Sequence, residues 1–130
     1  MTRFDADTPK ERQKLFADAV VAHRNRGSAF LTVEADPVEG AGDEPVPWVQ
    51  FAEKTFNVDC TDEELDRLKA LLESFPEFRI DRLESPEEAE GTNVRITARS
   101  DANRLAGFID RVFQAVYERE EDYRAWVVAV

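Results

Sequence analysis

An α+β two-layer sandwich, with an antiparallel sheet of about five strands and three helices mainly on one face, is the fold predicted by this chain of 130 residues. Three observations predict it. The stretch Ser100 to Arg119 places Leu105, Phe108, Ile109, Val112, Phe113 and Val116 at three- and four-residue steps, the spacing of one helical face. Two further amphipathic stretches open with capping signals. Between the helices lie short segments in which apolar and polar residues alternate, the mark of strands buried on one side. The predicted order is α-β-β-α-β-β-α-β, in a single domain spanning residues 1–130.

Residues 1–7 are expected to fray, with Phe4 able to dock. Thr8-Pro9-Lys10-Glu11 then starts the first helix: Thr8 caps, proline suits the first helical position and Glu11 completes a capping box. Leu15, Phe16, Ala19, Val20 and His23 follow at helical spacing, and Gly27 suits the left-handed position that ends it. Ala29 to Ala35 alternates as a strand, with Leu31, Val33 and Ala35 on one face. The proline-, glycine- and acid-rich stretch 36–47 has no periodicity and reads as a mobile loop, tolerated as a surface insertion.

Trp48 to Asp59 returns as strand. Val49 and Phe51 share one parity, and Phe56, Val58 and Cys60 share the other. The phase change near Ala52-Glu53-Lys54 implies a bulge or a tight turn, and one bulged strand is the preferred expectation. Thr61, with Glu64 three residues on, caps the second helix. Leu65, Leu68, Leu71, Leu72 and Phe75 form its apolar face, and Pro76 ends it. Phe78 to Leu83 and Thr92 to Arg99 form a hairpin whose acidic tip is 84–91. The third helix follows, with Ser100 at its N-cap and Asp101 at the positive end of its dipole. Ala125 to Val130 is a closing strand, expected to be buried on both faces.

Composition excludes several classes. The hydrophobic fraction of 42% includes no run near the ~20 apolar residues of a transmembrane helix. The N-terminus lacks the apolar core of a secretory signal, so a cytoplasmic protein is expected. One cysteine leaves no internal disulfide and no multi-cysteine zinc site. There is no glycine-rich phosphate loop, no GxSxG elbow and no HExxH pair, and no cofactor is expected. The paired acids Glu63-Glu64, Glu87-Glu88 and Glu120-Glu121-Asp122 read as solvated faces, not a two-carboxylate site.

The formal net charge is −11, and lysine appears only at Lys10, Lys14, Lys54 and Lys69. With plentiful alanine and valine and scarce isoleucine, this composition resembles that of acidic proteins from salt-loving archaea. The resemblance covers the whole chain and implies a habitat, not a functional family. At ordinary ionic strength such charge opposes nucleic-acid binding. In molar salt the Debye length is about 3 Å, and the charge says little about partners.

Four features could carry function. Cys60 stands before a helix start, where a thiol can be activated, but Asp59, Asp62, Glu63 and Glu64 surround it and its parity points inward. A buried structural cysteine is the expectation, and an enzyme using Cys60 the minor alternative. His23 is the only histidine; a helix C-terminus favours it there without any role as ligand or base. Arg79, Arg95 and Arg99 share the outward parity of the second hairpin and form a candidate anion-binding or subunit-contact surface. Ion pairing with Asp81, Glu53 and the acidic loops is the plainer reading. Trp126, Val128 and Val130 are candidate homodimer-interface residues on an apolar terminal strand.

The leading functional expectation is a non-enzymatic, cytoplasmic protein-interaction module acting as a homodimer. Its element order is similar to that of small dimeric secretion chaperones. The alternative is a regulator that binds a small anionic ligand or nucleic acid on the arginine face.

Overall fold

In the computed structural model, described for residues 4–37, 46–86 and 91–130, the order is β1 (Asp5–Ala6), α1 (Pro9–Arg26), β2 (Leu31–Ala35), β3 (Trp48–Ala52), β4 (Thr55–Cys60), α2 (Asp62–Leu72), β5 (Arg79–Glu84), β6 (Thr92–Thr97), α3 (Ala102–Arg111) and β7 (Ala125–Ala129). A π-helical turn, Val112–Val116, extends α3. The strands form one antiparallel sheet in the order β1-β7-β2-β3-β4-β6-β5. Among the described residues the fold is α+β with three α-helices, as predicted, but the sheet has seven strands rather than about five. The mobile-loop and acidic-tip expectations fall mostly on 38–45 and 87–90, outside the described residues.

The caps set the helix limits. Thr8 Oγ1 accepts from Glu11 N–H at 3.2 Å, and Gly27 closes α1 in the left-handed region at φ 61°. Thr61 and Glu64 complete a reciprocal capping box at the start of α2, with bonds of 2.8 and 3.2 Å. At α3 the cap is Asp101 rather than Ser100; its carboxylate accepts from Arg104 N–H at 2.8 Å. All six apolar residues of the Ser100–Arg119 stretch are buried. Phe108 is the hub: its ring lies 5.1 Å from Phe56, 4.9 Å from Phe75 and 5.0 Å from Phe78.

Three strand expectations are corrected. Residues 48–60 are two strands, not one bulged strand, because Ala52 pairs with Thr55 across a two-residue turn in which Glu53 takes φ 56°. Asp5 and Ala6 are not frayed; they pair with Trp126 and Ala125. The terminal strand is buried on one face only: Ala125 and Val127 point in and Trp126 points to the other side, while a register shift against Thr32 and Val33 breaks the alternation at Val128, which is exposed.

Arg12 joins α1 to the end of the chain. Fully buried, it meets Asp110 Oδ1 at 2.9 Å and donates to the carbonyls of Tyr123 at 2.8 Å and Glu121 at 2.6 Å. No helix among the described residues is long and apolar enough to cross a membrane.

Candidate functional site

The helices cover one face of the sheet, and alternation along each strand decides what the other face displays. Leu31, Val33, Val49, Phe51, Phe56, Val58, Val94 and Ile96 enter the core with the helices. Their neighbours in sequence stand on the other, bare side, which no helix among the described residues covers. Residues directly opposite each other in an antiparallel ladder share a face, so the pairing gives rows. One row runs Thr32, Gln50, Asn57, Arg95, Arg82. The next runs Ala52, Thr55, Thr97, Arg79. A third joins Trp126, Glu34 and Trp48.

This face is graded in charge. At the β5–β6 end, Arg95 sits directly across from Arg82, with Arg79 in the adjoining row; all three are exposed. Arg82 pairs with Glu84 at 2.7 Å. Arg79, Arg95 and Arg99 make no ion pair with any described acid, so the plainer ion-pairing expectation is not met among the described residues. Arg99 lies exposed just beyond β6. In the middle, Asn93 Nδ2 donates to Asn57 Oδ1 at 2.7 Å and to Asp59 Oδ1 at 2.8 Å. At the other end, Trp126 Nε1–H donates to Asp36, and Asp5, Asp7 and Asp36 converge on Arg124.

The three candidate interface residues, Trp126 and Val128 in β7 and Val130 just beyond it, do not form one patch. Trp126 belongs to the bare face. Val128 and Val130 instead line a groove of ≈ 620 Å³ between α1 and β7, with Leu15, Ala19, Ala22 and Phe4.

Cys60 and His23 lie near opposite ends of β4. The five-residue step from Thr55 to Cys60 spans roughly 17 Å, and His23 meets the Thr55 end through Glu53 N–H, which donates to Nε2 at 3.3 Å. No Cys60–His23 dyad is assembled. Burial and nearby Glu64 push the Cys60 thiol up to about 12, which keeps it neutral. Since His23 Nε2 accepts, Nδ1 carries the proton and donates to Ser28 Oγ at 2.8 Å. Burial, then Arg24, lowers the His23 pKa, which favours this neutral tautomer. Among the described residues, no cluster of three or more His, Cys, Asp or Glu could hold a metal ion.

Sequence reasoning missed Arg82. It lies three residues from Arg79, so strict alternation puts the two on opposite faces. A register shift between Ile80 and Arg82 brings them to the same one. The signal was the apolar pair Ile80 and Leu83 at the same odd spacing. Asp18 and Arg26, which also line the α1–β7 groove, carry no signal until the groove is assembled.

The chain belongs to a family of unknown function, DUF7975, whose profile matches residues 1–130. No curated protein and no solved structure matches it.

Proposed function

For this member of the family, we propose a non-catalytic role: an interaction module that receives an acidic segment of a partner protein on the bare face of its sheet. The carrying observation is the arginine cluster at the β5–β6 end. Like charges placed directly opposite, as Arg95 and Arg82 are, cost about 0.2–1 kcal/mol. Carboxylates of a partner would relieve that repulsion through forked hydrogen bonds. Trp48 and Trp126 add aromatic surface of the kind enriched at interfaces. The neutral, buried Cys60 and the dispersed acids give little support to an enzyme. The acidic, lysine-poor composition supports a cytoplasmic setting at archaeal salt concentrations.

A small anion or a nucleic acid on the same arginines is the second reading. The guanidinium groups of Arg79 and Arg95, without an ion-pair partner among the described residues, favour it, and Glu34, Asp59 and Glu84 on the same face oppose it. Fluorescence anisotropy separates the two. A labelled ten-residue acidic peptide, a single-stranded oligodeoxynucleotide and, by competition, inorganic phosphate are titrated into the wild type and the Arg79→Glu/Arg95→Glu variant. Peptide binding that falls about tenfold in the variant supports the first reading. Oligonucleotide or phosphate binding lost in the variant, without peptide binding, replaces it with the second. Unchanged affinities for all three probes refute both.

A further inference from the structure

We infer that a second copy of this chain closes the groove between α1 and β7, through a two-fold axis passing beside Ala22. This surface is separate from the bare sheet face, and the inference does not rest on the role proposed for that face.

The groove is apolar and open. Phe4 is 55% exposed and Val128 51%. Ala19 and Ala22 form its α1 wall, and residues this small let a second helix approach to about 8–10 Å between axes. Asp18 and Arg26 line the same groove. They stand four residues before and four after Ala22, on one helical face, about 6 Å to either side along the axis.

That spacing makes the surface self-complementary. A two-fold axis at Ala22 sets two α1 helices antiparallel and brings Asp18 of each copy to Arg26 of the other. Arg26 has no ion-pair partner among the described residues. Among the described residues Asp18 holds only the exposed Lys14, at 2.8 Å. The reciprocal pairs fix the register, while Phe4 and Val128 supply apolar area.

Other occupants fit less well. A single-headed amphiphile would leave either Asp18 or Arg26 uncompensated. An added strand meets β1, which already pairs with Trp126 and Ala125 on the outer edge of β7, and Val127 N–H already donates to Phe4 O at 2.7 Å.

Sedimentation equilibrium of the full chain, at 0.2 M and 2 M KCl, tests the inference. The wild type is expected at twice 14.8 kDa. At 0.2 M KCl, Asp18→Arg and Arg26→Asp should each weaken self-association about tenfold by placing like charges together at both ends of the contact, and less at 2 M, where such pairs are screened. The combined Asp18→Arg/Arg26→Asp variant should return to within about threefold of wild type. Circular dichroism confirms that each variant is folded, and Val128→Arg should weaken the dimer without rescue by either swap. A wild type that stays monomeric at high concentration overturns the inference. So does a dimer indifferent to both single reversals, or folded single variants whose loss the double swap does not restore. A dimer broken by Arg95→Glu but not by Asp18→Arg places the contact on the sheet face and overturns it as well.

Discussion

Replacing Arg12 with methionine should be among the most damaging single changes available in this fold. The guanidinium makes three hydrogen bonds, to Asp110 Oδ1 at 2.9 Å, Tyr123 O at 2.8 Å and Glu121 O at 2.6 Å. It also stacks 4.0 Å from the centroid of the Tyr123 ring. Hydrogen bonds from a charged donor contribute about 1.5–3 kcal/mol each, so the gross loss is about 5–9 kcal/mol. Part returns because no guanidinium has to be desolvated on folding. Removing one partner of a buried pair typically costs about 3–5 kcal/mol, and that is the expected net effect. Asp110 keeps bonds from Gln114 Nε2 and Tyr123 OH, both 2.8 Å, which argues for the lower half of that range. At roughly 3–5 °C per kcal/mol for a domain of this size, Tm should fall by about 10–20 °C. Urea unfolding followed by tryptophan fluorescence in 2 M KCl measures the change. A double-mutant cycle with Asp110→Ala should return a coupling of at least about 1 kcal/mol. A loss under 1 kcal/mol for Arg12→Met, or additivity in the cycle, would refute the account of Arg12 as the tie between α1 and the chain end.

Three further outcomes are expected. His23 has a folded-state pKa lowered from 6.5 by burial, so the unfolded chain takes up its proton first. Its contribution is complete above pH 6.5 and is lost as pH falls through the folded-state value, with a slope of at most about 1.4 kcal/mol per pH unit; urea midpoints from pH 7.5 to 5 should fall in the wild type and stay flatter in His23→Leu, and parallel profiles would count against it. Native Cys60, with its thiol pushed up to about 12, should react with iodoacetamide at pH 8 about a thousandfold more slowly than in urea; fast stoichiometric labelling of the native protein would return Cys60 to consideration as a nucleophile. Gly91→Ala should cost about 1–3 kcal/mol, since φ is +125° and the new Cβ would sit 3.0 Å from Cys60 O. Gly27→Ala should cost less, because nothing lies within 4 Å of the added Cβ; equal losses at the two positions would show that the close approach at Gly91 is relaxed away.

The sequence made plain whatever depends on near neighbours. Thr8, Thr61 with Glu64, and Gly27 act within four residues, and each was placed correctly. Inward parity on β2, β3, β4 and β6 was equally legible, because burial of one face forces alternation. What failed depends on distant partners. β1 is two residues long, too short for any period, and exists because β7 lies beside it. The turn at Glu53 carries no glycine or asparagine to announce its positive φ. Ser100 and Asp101 are both good caps, and local chemistry did not choose between them. At the candidate site, the outward direction of Arg79 and Arg95 could be read from alternation, whereas the meeting of Arg82 with Arg95 required the register shift at Asp81. Arg12 sits in a polar-looking stretch of α1, and only the return of the chain at Tyr123 shows that it is buried.

The two edges of the sheet are blunted in different ways, and this shapes how the chain can associate. β5 carries the register shift and the exposed charges Asp81, Arg82 and Glu84, while β7 is partly paired by β1. Association is thereby directed to faces rather than edges. The α1 surface and the bare sheet face lie on opposite sides of the sheet, so a dimer joined at Ala22 leaves both arginine clusters free. Exposed arginine–carboxylate contacts contribute only about 0–1 kcal/mol each, and less when the Debye length is about 3 Å. Two clusters held together make the second contact intramolecular, at an effective concentration in the millimolar range, which offsets that weakness. A tandem acidic peptide long enough to span both clusters should therefore bind the wild type more tightly than its single-segment counterpart. That advantage should vanish in Asp18→Arg at concentrations where sedimentation shows the variant to be monomeric, while affinity for the single segment is unchanged. If the advantage persists there, the two surfaces are not coupled in this way.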